Sequence, residues 1–158
     1  MQIRPLTIME LSRCEPLGHQ FHAEKHLPGT FSIDCLIEHW THYLTCFESM
    51  LWGAWEDDAL IGGLGAVIAP DEFDGRLTAR EFFWYVGRPH RGGTAGMRLL
   101  QHFHAWADQH DVESRLVRLI DEGETMQGAQ LDALYTRLDY QPVEIAWIRP
   151  RKSARKGV

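Results

Sequence analysis

The sequence predicts a mixed α/β domain in which two parallel strands lie on either side of a connecting helix. Residues 78–86 are rich in aromatic and β-branched side chains, which favour a β-strand. A basic, glycine-containing loop follows, and apolar residues then recur at helical spacing to about residue 110. Residues 114–120 predict another strand, and two strands joined through a helix normally run parallel in one sheet.

The elements before this unit each have a local signal. Residues 2–6 predict a short first strand, and Thr7 can cap a helix that runs to about residue 21 or 26. Ser32 is a good cap for a second helix, whose apolar residues share one stripe. They are Ile33, Leu36, Ile37, Trp40, Leu44 and Phe47. Residues 51–56 and 59–68 then predict a pair of strands joined by a turn.

Glycines at positions 62, 63 and 65 are unusual inside a strand and predict a bulge or the close approach of another backbone. Further along, residues 128–138 predict a helix that ends at Asp139, because Asp tolerates the left-handed conformation of such a stop. Residues 143–149 predict a last strand. The order β-α-α-β-β-β-α-β-α-β makes residues 1–149 a single domain with a mixed sheet, followed by a basic tail at 150–158 that we expect to be disordered.

Length and composition indicate one soluble globular domain of 158 residues. No apolar run approaches the roughly 18 residues of a membrane span, and the N-terminus lacks the apolar core of a signal peptide. We therefore expect a cytoplasmic protein without a membrane partner. Cys14, Cys35 and Cys46 are odd in number and widely spaced, which predicts reduced, buried or half-buried thiols.

The net charge of −6 conceals an uneven distribution. The last ten residues contain Arg149, Arg151, Lys152, Arg155 and Lys156. The remainder is far more acidic than basic, and its only lysine is Lys25. An acidic body disfavours binding to nucleic acid and suits a cationic substrate. The tail is either solvated or contacts a phosphate or a partner.

The loop between the central strand and its helix has the features of an anion site. Arg91, Gly92 and Gly93 precede Thr94, which can cap the helix. Helix N-termini have unpaired N–H groups and partial positive charge, and glycines let a phosphate approach them. Arg91 adds a forked cation suited to phosphate oxygens. These residues alone predict either a pyrophosphate site or a tight turn that binds nothing.

The same loop resembles the acyl-CoA loop of the GNAT superfamily of N-acetyltransferases. The family pattern is Arg or Gln, two residues, Gly, any residue, then Gly or Ala. Arg91 and Gly96 match it, whereas Thr94 stands where the first Gly is usual. A Cβ atom there narrows the approach to the phosphate, although the Thr94 hydroxyl can donate to it.

Residues 134–140 resemble the closing motif of the family, in which a Tyr precedes a Gly-Phe pair by four residues. Asp139-Tyr140 replaces that pair in this sequence. The predicted order of elements also matches the GNAT order from end to end. The resemblance therefore covers nearly the whole chain and implies the GNAT fold.

The resemblance implies acetyl-CoA as the cosubstrate, no metal, and an amine as the acceptor. The pantetheine arm would bond to the central strand like an added strand, and the N–H near Val86 would polarise the thioester carbonyl. The implied acetyl-CoA-binding residues are Trp84, Tyr85, Val86, Arg91, Gly92, Gly93, Thr94, Ala95, Gly96 and Met97. Dimers are common in the family, so a homodimer is compatible with the resemblance.

An amine acceptor is mostly protonated at neutral pH, so acyl transfer to it needs a base. Glu81 is the candidate, because it is the only acid on the central strand and lies among aromatics that would raise its pKa by desolvation. Strand alternation predicts that Glu81, Phe83 and Tyr85 share one face. The alternative is that Glu81 is a structural acid.

Tyr135 matches the family position of the general acid that protonates the CoA thiolate. It also lies on the apolar stripe of its helix, so a core tyrosine is the alternative. His19, His22 and His26 share one helix face if the first helix extends that far. A metal site there is one interpretation, but the spacing is no known zinc signature, and a solvated or substrate-lining face is favoured.

The resemblance implies an N-acetyltransferase in which an amine attacks the thioester directly, without a covalent enzyme intermediate. The acceptor is undetermined: a polyamine-like molecule, an aminoglycoside-like molecule, or a protein lysine or N-terminus. A second hypothesis is a domain of the same fold that binds CoA or a partner without catalysis. A third is an interaction protein whose six tryptophans and basic tail form a partner surface.

Overall fold

The computed structural model describes residues 1–25, 27, 29–72, 74–116 and 125–142. The chain divides into two compact units, Met1–Ile120 and Asp121–Val158, and each is described by itself. The single domain over residues 1–149 stays a prediction. The predicted strand at 143–149, the tail at 150–158 and residues 117–120 lie outside the described residues.

A five-stranded sheet forms the centre of the first unit. Its strands are β1 (Gln2–Pro5), β2 (Glu48–Glu56), β3 (Ala59–Pro70), β4 (Leu77–Val86) and β5 (Glu113–Arg115). They lie in the order β1-β2-β3-β4-β5. The first four are antiparallel neighbours, whereas β5 pairs in parallel with β4. The predicted parallel pair is therefore confirmed.

The helices of the first unit are α1 (Glu15–Glu24), α2 (Ile33–Cys46) and α3 (Ala95–Gln109). A 3-10 segment, Ile8–Cys14, precedes α1, so the single helix predicted after Thr7 is wrong. Pro16 explains the break, because proline fits the first turn of a helix but not its interior. Thr7 still acts at the start of the segment, where its N–H and hydroxyl both donate to Glu10, at 3.1 and 2.9 Å.

Two predicted helix caps have different outcomes. The Ser32 hydroxyl accepts a hydrogen bond from the Cys35 N–H at 3.3 Å, which confirms the cap of α2. Thr94 directly precedes α3, but its side chain makes no capping hydrogen bond. Its backbone is already helical, with φ of −92° and ψ of −6°, whereas a capping residue normally has an extended backbone.

A bulge at Phe82 interrupts the alternation of β4. Glu81 and Phe83 pair with consecutive residues of β3, so Phe82 is an extra residue on β4. Residues directly opposite each other share a face, so Glu81 lies on the face of its partner Ala66. The predicted face shared by Glu81, Phe83 and Tyr85 is therefore wrong for Glu81, because one extra residue shifts the period of two.

Helices cover both faces of the sheet. The Phe83 ring lies 5.0 Å from the Trp40 ring of α2, which assigns Phe83 to the face covered by α1 and α2. On the opposite face, the Trp52 ring of β2 stacks on the His102 ring of α3 at 4.3 Å. Trp52 belongs to the same cross-strand row as Trp84, and alternation across the bulge puts Glu81 on this face too. The largest fully buried side chains are Leu11, Leu64, Leu99, Leu100 and Phe103.

The second unit contains α4 (Thr125–Arg137). Asp139 follows it with φ of 62°, which confirms the predicted left-handed stop. Tyr135 is half-buried, and its ring lies 5.9 Å from the ring of Tyr140. The two tyrosines of the closing motif therefore pack on each other within this unit.

Candidate active site

The outer edge of β4 presents backbone groups suited to an extended ligand. In the described part of the chain, β5 pairs with β4 only at residues 78–80. Further along, the Gly87 N–H donates to the Ile61 carbonyl of β3 at 2.9 Å. Successive residues of an antiparallel strand point their N–H and C=O groups to alternate sides, so those of Trp84 and Val86 point away from β3. An added extended chain needs such an edge.

Glu81 lies where this edge begins. It directly follows the last residue of β4 that pairs with β5 among the described residues. Only 7% of Glu81 is exposed, and its cross-strand partner Ala66 is completely buried. Glu81, the predicted base, therefore lies on the face of the sheet that α3 covers, next to the outer edge of β4.

The loop from β4 to α3 is shaped by glycines at two positions. Gly92 has φ of 81°, a conformation that other residues rarely adopt. At Gly96, an added Cβ would lie 3.7 Å from Val86 and 3.8 Å from Trp84, so this position packs directly on β4. A groove of about 270 Å³ runs beside the loop and the start of α3. Its loop residues are Pro89, His90, Arg91, Gly93, Thr94 and Ala95.

Arg91 and Glu24 form a bidentate ion pair beneath the loop. The two terminal nitrogens of Arg91 donate to the two carboxylate oxygens of Glu24, at 2.8 and 2.7 Å. Nε of Arg91 donates to the carbonyl of Val86 at 2.9 Å, and the Tyr85 hydroxyl donates to Glu24 at 2.8 Å. The guanidinium predicted to hold phosphate is therefore engaged with α1 and β4. In contrast, the side chain of Arg88 is 64% exposed and 3.4 Å from Glu24.

The surroundings of Glu24 determine its protonation. Burial by itself would raise its pKa, but hydrogen bonds from Arg91 and Tyr85, together with the positive charge of Arg91, lower the pKa to about 2. Burial and the nearby carboxylate raise the pKa of Tyr85 to about 12. At neutral pH the cluster therefore contains an ionised carboxylate and a neutral phenol.

The low pKa of Glu24 predicts an acid-dependent loss of stability. The pKa of about 2 lies below the ordinary value of 4.5, so the ionised carboxylate stabilises the fold fully above pH 4.5. We expect Glu24→Gln to cost about 3 kcal/mol in free energy of unfolding at pH 7, because it removes one partner of a nearly buried ion pair. This difference from wild type should shrink as pH falls from 4.5 toward 2. Urea unfolding across this range measures it, with exposed Glu15→Gln on the same helix as control; a pH-independent difference would contradict it.

The sequence of the chain identifies its family. The model of the Acetyltransferase (GNAT) family matches residues 11–140, which is most of the chain. The chain belongs to the GNAT acetyltransferase family. The predicted resemblance and the mixed α/β fold are thus confirmed. No curated protein is significantly similar to the chain in sequence.

Solved GNAT structures share the fold. A ribosomal-protein-alanine N-acetyltransferase from Brucella melitensis biovar Abortus 2308 has a TM-score of 0.68 at 17% identity, over 96% of this chain and 99% of that one. An aminoglycoside 6'-N-acetyltransferase from Acinetobacter haemolyticus has a TM-score of 0.67 at 16% identity, over 98% and 100%. A predicted acetyltransferase from Clostridium acetobutylicum, solved with acetyl-CoA, has a TM-score of 0.72 at 14% identity, over 95% of both chains.

The structure also shows where other predicted site residues of this GNAT chain lie. Thr94 and Met97 are both exposed at the start of α3. Tyr135 belongs to the second unit, and its role as general acid stays a prediction. The sequence motifs place Glu24 only near the histidines of the first helix and do not predict its contact with Arg91. Its partner Arg91 is 67 positions away, and no local pattern indicates a contact over that separation.

The structure also shows the surroundings of the histidines predicted on the first helix. The His19 and His22 rings pack against the Phe31 ring, with centroids 4.8 and 6.4 Å from its centroid, whereas His26 lies outside the described residues.

The described residues contain no group of three side chains arranged to hold a metal ion. No helix among them combines the length and apolar character needed to cross a bilayer.

The three cysteines are free thiols. Cys14 is buried, and burial raises its pKa to about 12, which makes it unreactive as a nucleophile. Cys35 and Cys46 are exposed, so the prediction of buried or half-buried thiols is wrong for these two. Their helix, α2, turns only a narrow apolar stripe to the sheet, and both residues lie outside that stripe.

Proposed function

We propose that this GNAT chain transfers an acetyl group from acetyl-CoA to a primary amine. One observation carries the proposal: Gly96, at the start of α3, packs on the side chains of Trp84 and Val86, whose backbone groups point to the outer edge of β4. An extended pantetheine arm can bond to such an edge, while the pyrophosphate reaches the N–H groups that begin the helix. One continuous stretch of backbone thus offers both contacts to one ligand.

The reaction is a direct attack of the amine on the thioester carbon. A C–N bond forms and the C–S bond breaks, which yields an amide and the CoA thiol. In this proposal Glu81 takes the proton from the ammonium, either directly or through a water molecule. The N–H of Val86 donates to the developing oxyanion. Tyr135 supplies a proton to the leaving thiolate, and the second proton that the attacking nitrogen loses restores the Tyr135 hydroxyl through solvent.

The acceptor that fits best is a cationic amine, because the body of the chain is acidic and attracts positive charge. Two solved neighbours are named as acetyltransferases of an aminoglycoside and of a ribosomal-protein alanine. A screen of acceptors should therefore include polyamines, aminoglycosides and peptides with free N-termini or lysines. Thiol release from acetyl-CoA reports turnover for every amine in the same assay.

Calorimetric titration with acetyl-CoA tests the cosubstrate site. We expect wild type to bind acetyl-CoA and Thr94→Glu to bind it about tenfold more weakly or worse, because a carboxylate at the loop repels the phosphates. Gln101→Glu adds the same charge at an exposed position further along α3, so it is the matched control and should bind normally. Equal affinity of Thr94→Glu and wild type would place the phosphates elsewhere.

The same titration separates the enzyme from a binding module. Absence of binding by folded wild type at millimolar acetyl-CoA would overturn the proposed function. Binding without thiol release for any amine would favour a non-catalytic GNAT-fold module. The exposed Thr94, which replaces the usual glycine, is the feature that favours this second hypothesis of a non-catalytic module.

A further inference from the structure

The ion pair between Glu24 and Arg91 suggests that Arg91, the arginine of the acyl-CoA loop pattern, has a role other than binding phosphate. The side chain of Glu24 is only 4% exposed, and Arg91 satisfies both of its oxygens. If Arg91 turned to a phosphate, this nearly buried carboxylate would lose both bidentate hydrogen bonds and keep only the exposed Arg88, 3.4 Å from one oxygen, as a charged partner among the described contacts, which is costly in a protein interior. The geometry therefore opposes a role for the guanidinium as a direct phosphate ligand.

Gly92 and Gly93, which follow Arg91, need contacts from other parts of the fold to hold the loop in one conformation. Gly92 and Gly93 are both exposed, and an added Cβ at Gly92 would meet no atom within 4 Å. Glycine residues have the largest conformational freedom, so the two do little to hold the loop in place. Arg91 directly precedes them and is fixed on two sides, by Glu24 of α1 and by the Val86 carbonyl of β4.

We propose that Glu24 is a positioning residue for the acetyl-CoA loop, and that Arg91 acts through its bond to Glu24 instead of contacting the phosphates. This inference rests on the proposed function, because it assigns the binding of pyrophosphate to backbone N–H groups that Glu24 and Arg91 hold in place. Preorganised N–H groups bind an anion without the cost of ordering a flexible loop at the moment of binding.

Hydrogen exchange tests the positioning without any ligand. We expect the hydrogen-bonded amides of Arg91 and Arg98, on either side of the glycine loop, to exchange faster in Glu24→Gln than in wild type. Glu15→Gln, exposed on the same helix, should leave them unchanged. Unchanged exchange in Glu24→Gln would overturn the proposal. This readout decides the role of Glu24 even if wild type fails to bind acetyl-CoA, an outcome that would overturn only the proposed function.

Arg91→Lys separates positioning from direct contact with phosphate. Lysine keeps the positive charge that a phosphate needs but cannot reproduce the paired hydrogen bonds to a carboxylate. We expect Arg91→Lys to show faster loop exchange and an affinity for acetyl-CoA reduced by about tenfold to a hundredfold. Wild-type affinity in Arg91→Lys would show that the charge acts directly and would overturn the proposal.

A double variant at Glu24 and Arg91 tests independently whether the two residues act through one bond. If Glu24 and Arg91 act through one bond, Glu24→Gln combined with Arg91→Lys should bind acetyl-CoA no more weakly than the weaker single variant. In kinetic assays the loss should be in KM for acetyl-CoA, with little change in kcat at saturation. Additive losses in the double variant would instead assign separate roles to the two residues.

Discussion

Replacing Glu81 with Gln is expected to lower the rate of acetyl transfer by about 10²–10⁴-fold, the usual contribution of a general base. Glutamine has nearly the same size but cannot take a proton from the ammonium of the acceptor. The position of Glu81 supports this role, because it is 7% exposed and lies where the outer edge of β4 begins. Thiol release with the best amine of the screen, at saturating acetyl-CoA, measures the effect.

The pH dependence distinguishes a base from a structural acid. The lost rate should recover in part as pH approaches the pKa of the amine, about 10.4 for a lysine, because the acceptor then needs no base. Glu48→Gln, on β2 with a side chain 62% exposed, is the control and should keep its activity. Turnover of Glu81→Gln equal to wild type would make Glu81 a structural acid. Tyr135→Phe in the same assay tests the proposed general acid.

Replacing Gly65 with Ala is expected to cost about 3 kcal/mol in free energy of unfolding. The added Cβ would lie 2.4 Å from the end of the Phe82 ring and 3.0 Å from Leu51. Phe82 cannot turn aside easily, because its ring packs between Tyr43 at 4.8 Å and Trp40 at 5.6 Å. Urea unfolding measures the loss.

Gly63→Ala is the matched control for this change. It introduces the same methyl group on the same strand, where the nearest atoms are 3.4 and 3.5 Å away, so a smaller loss is expected. Because Phe82 is the bulge residue beside Glu81, Gly65→Ala should also reduce turnover, whereas Gly63→Ala should not. Equal stability of the two variants would show that the Phe82 ring moves without cost.

Local signals predicted most of the fold and the loop of the candidate site. The Ser32 cap of α2 and the left-handed stop at Asp139 depend on residues within a few positions of each other, and both are confirmed. The apolar stripe of α2 is confirmed from Ile33 to Leu44, but it is wrong for Phe47, which follows the helix and is 40% exposed. The glycines of β3 correctly indicated a bulge and close packing. The strand–loop–helix unit was predicted in the same way.

The details that decide the chemistry lie beyond such signals. The glycines indicated a bulge but not which strand carries the extra residue, and its place at Phe82 assigns Glu81 to the α3 face. The motif arginine matched a phosphate-binding pattern, yet its partner is a carboxylate 67 positions earlier in the chain. Sequence spacing contains no information about a contact formed only when α1 packs on β4.

By itself, the sequence determined the family, the order of the described elements and the residues available for chemistry, because periodicity, caps and glycine motifs act over short distances. The tertiary structure decided which face Glu81 occupies and what Arg91 binds. Both depend on how strands align and helices pack, and a one-residue shift in strand register moves a side chain to the opposite face of a sheet.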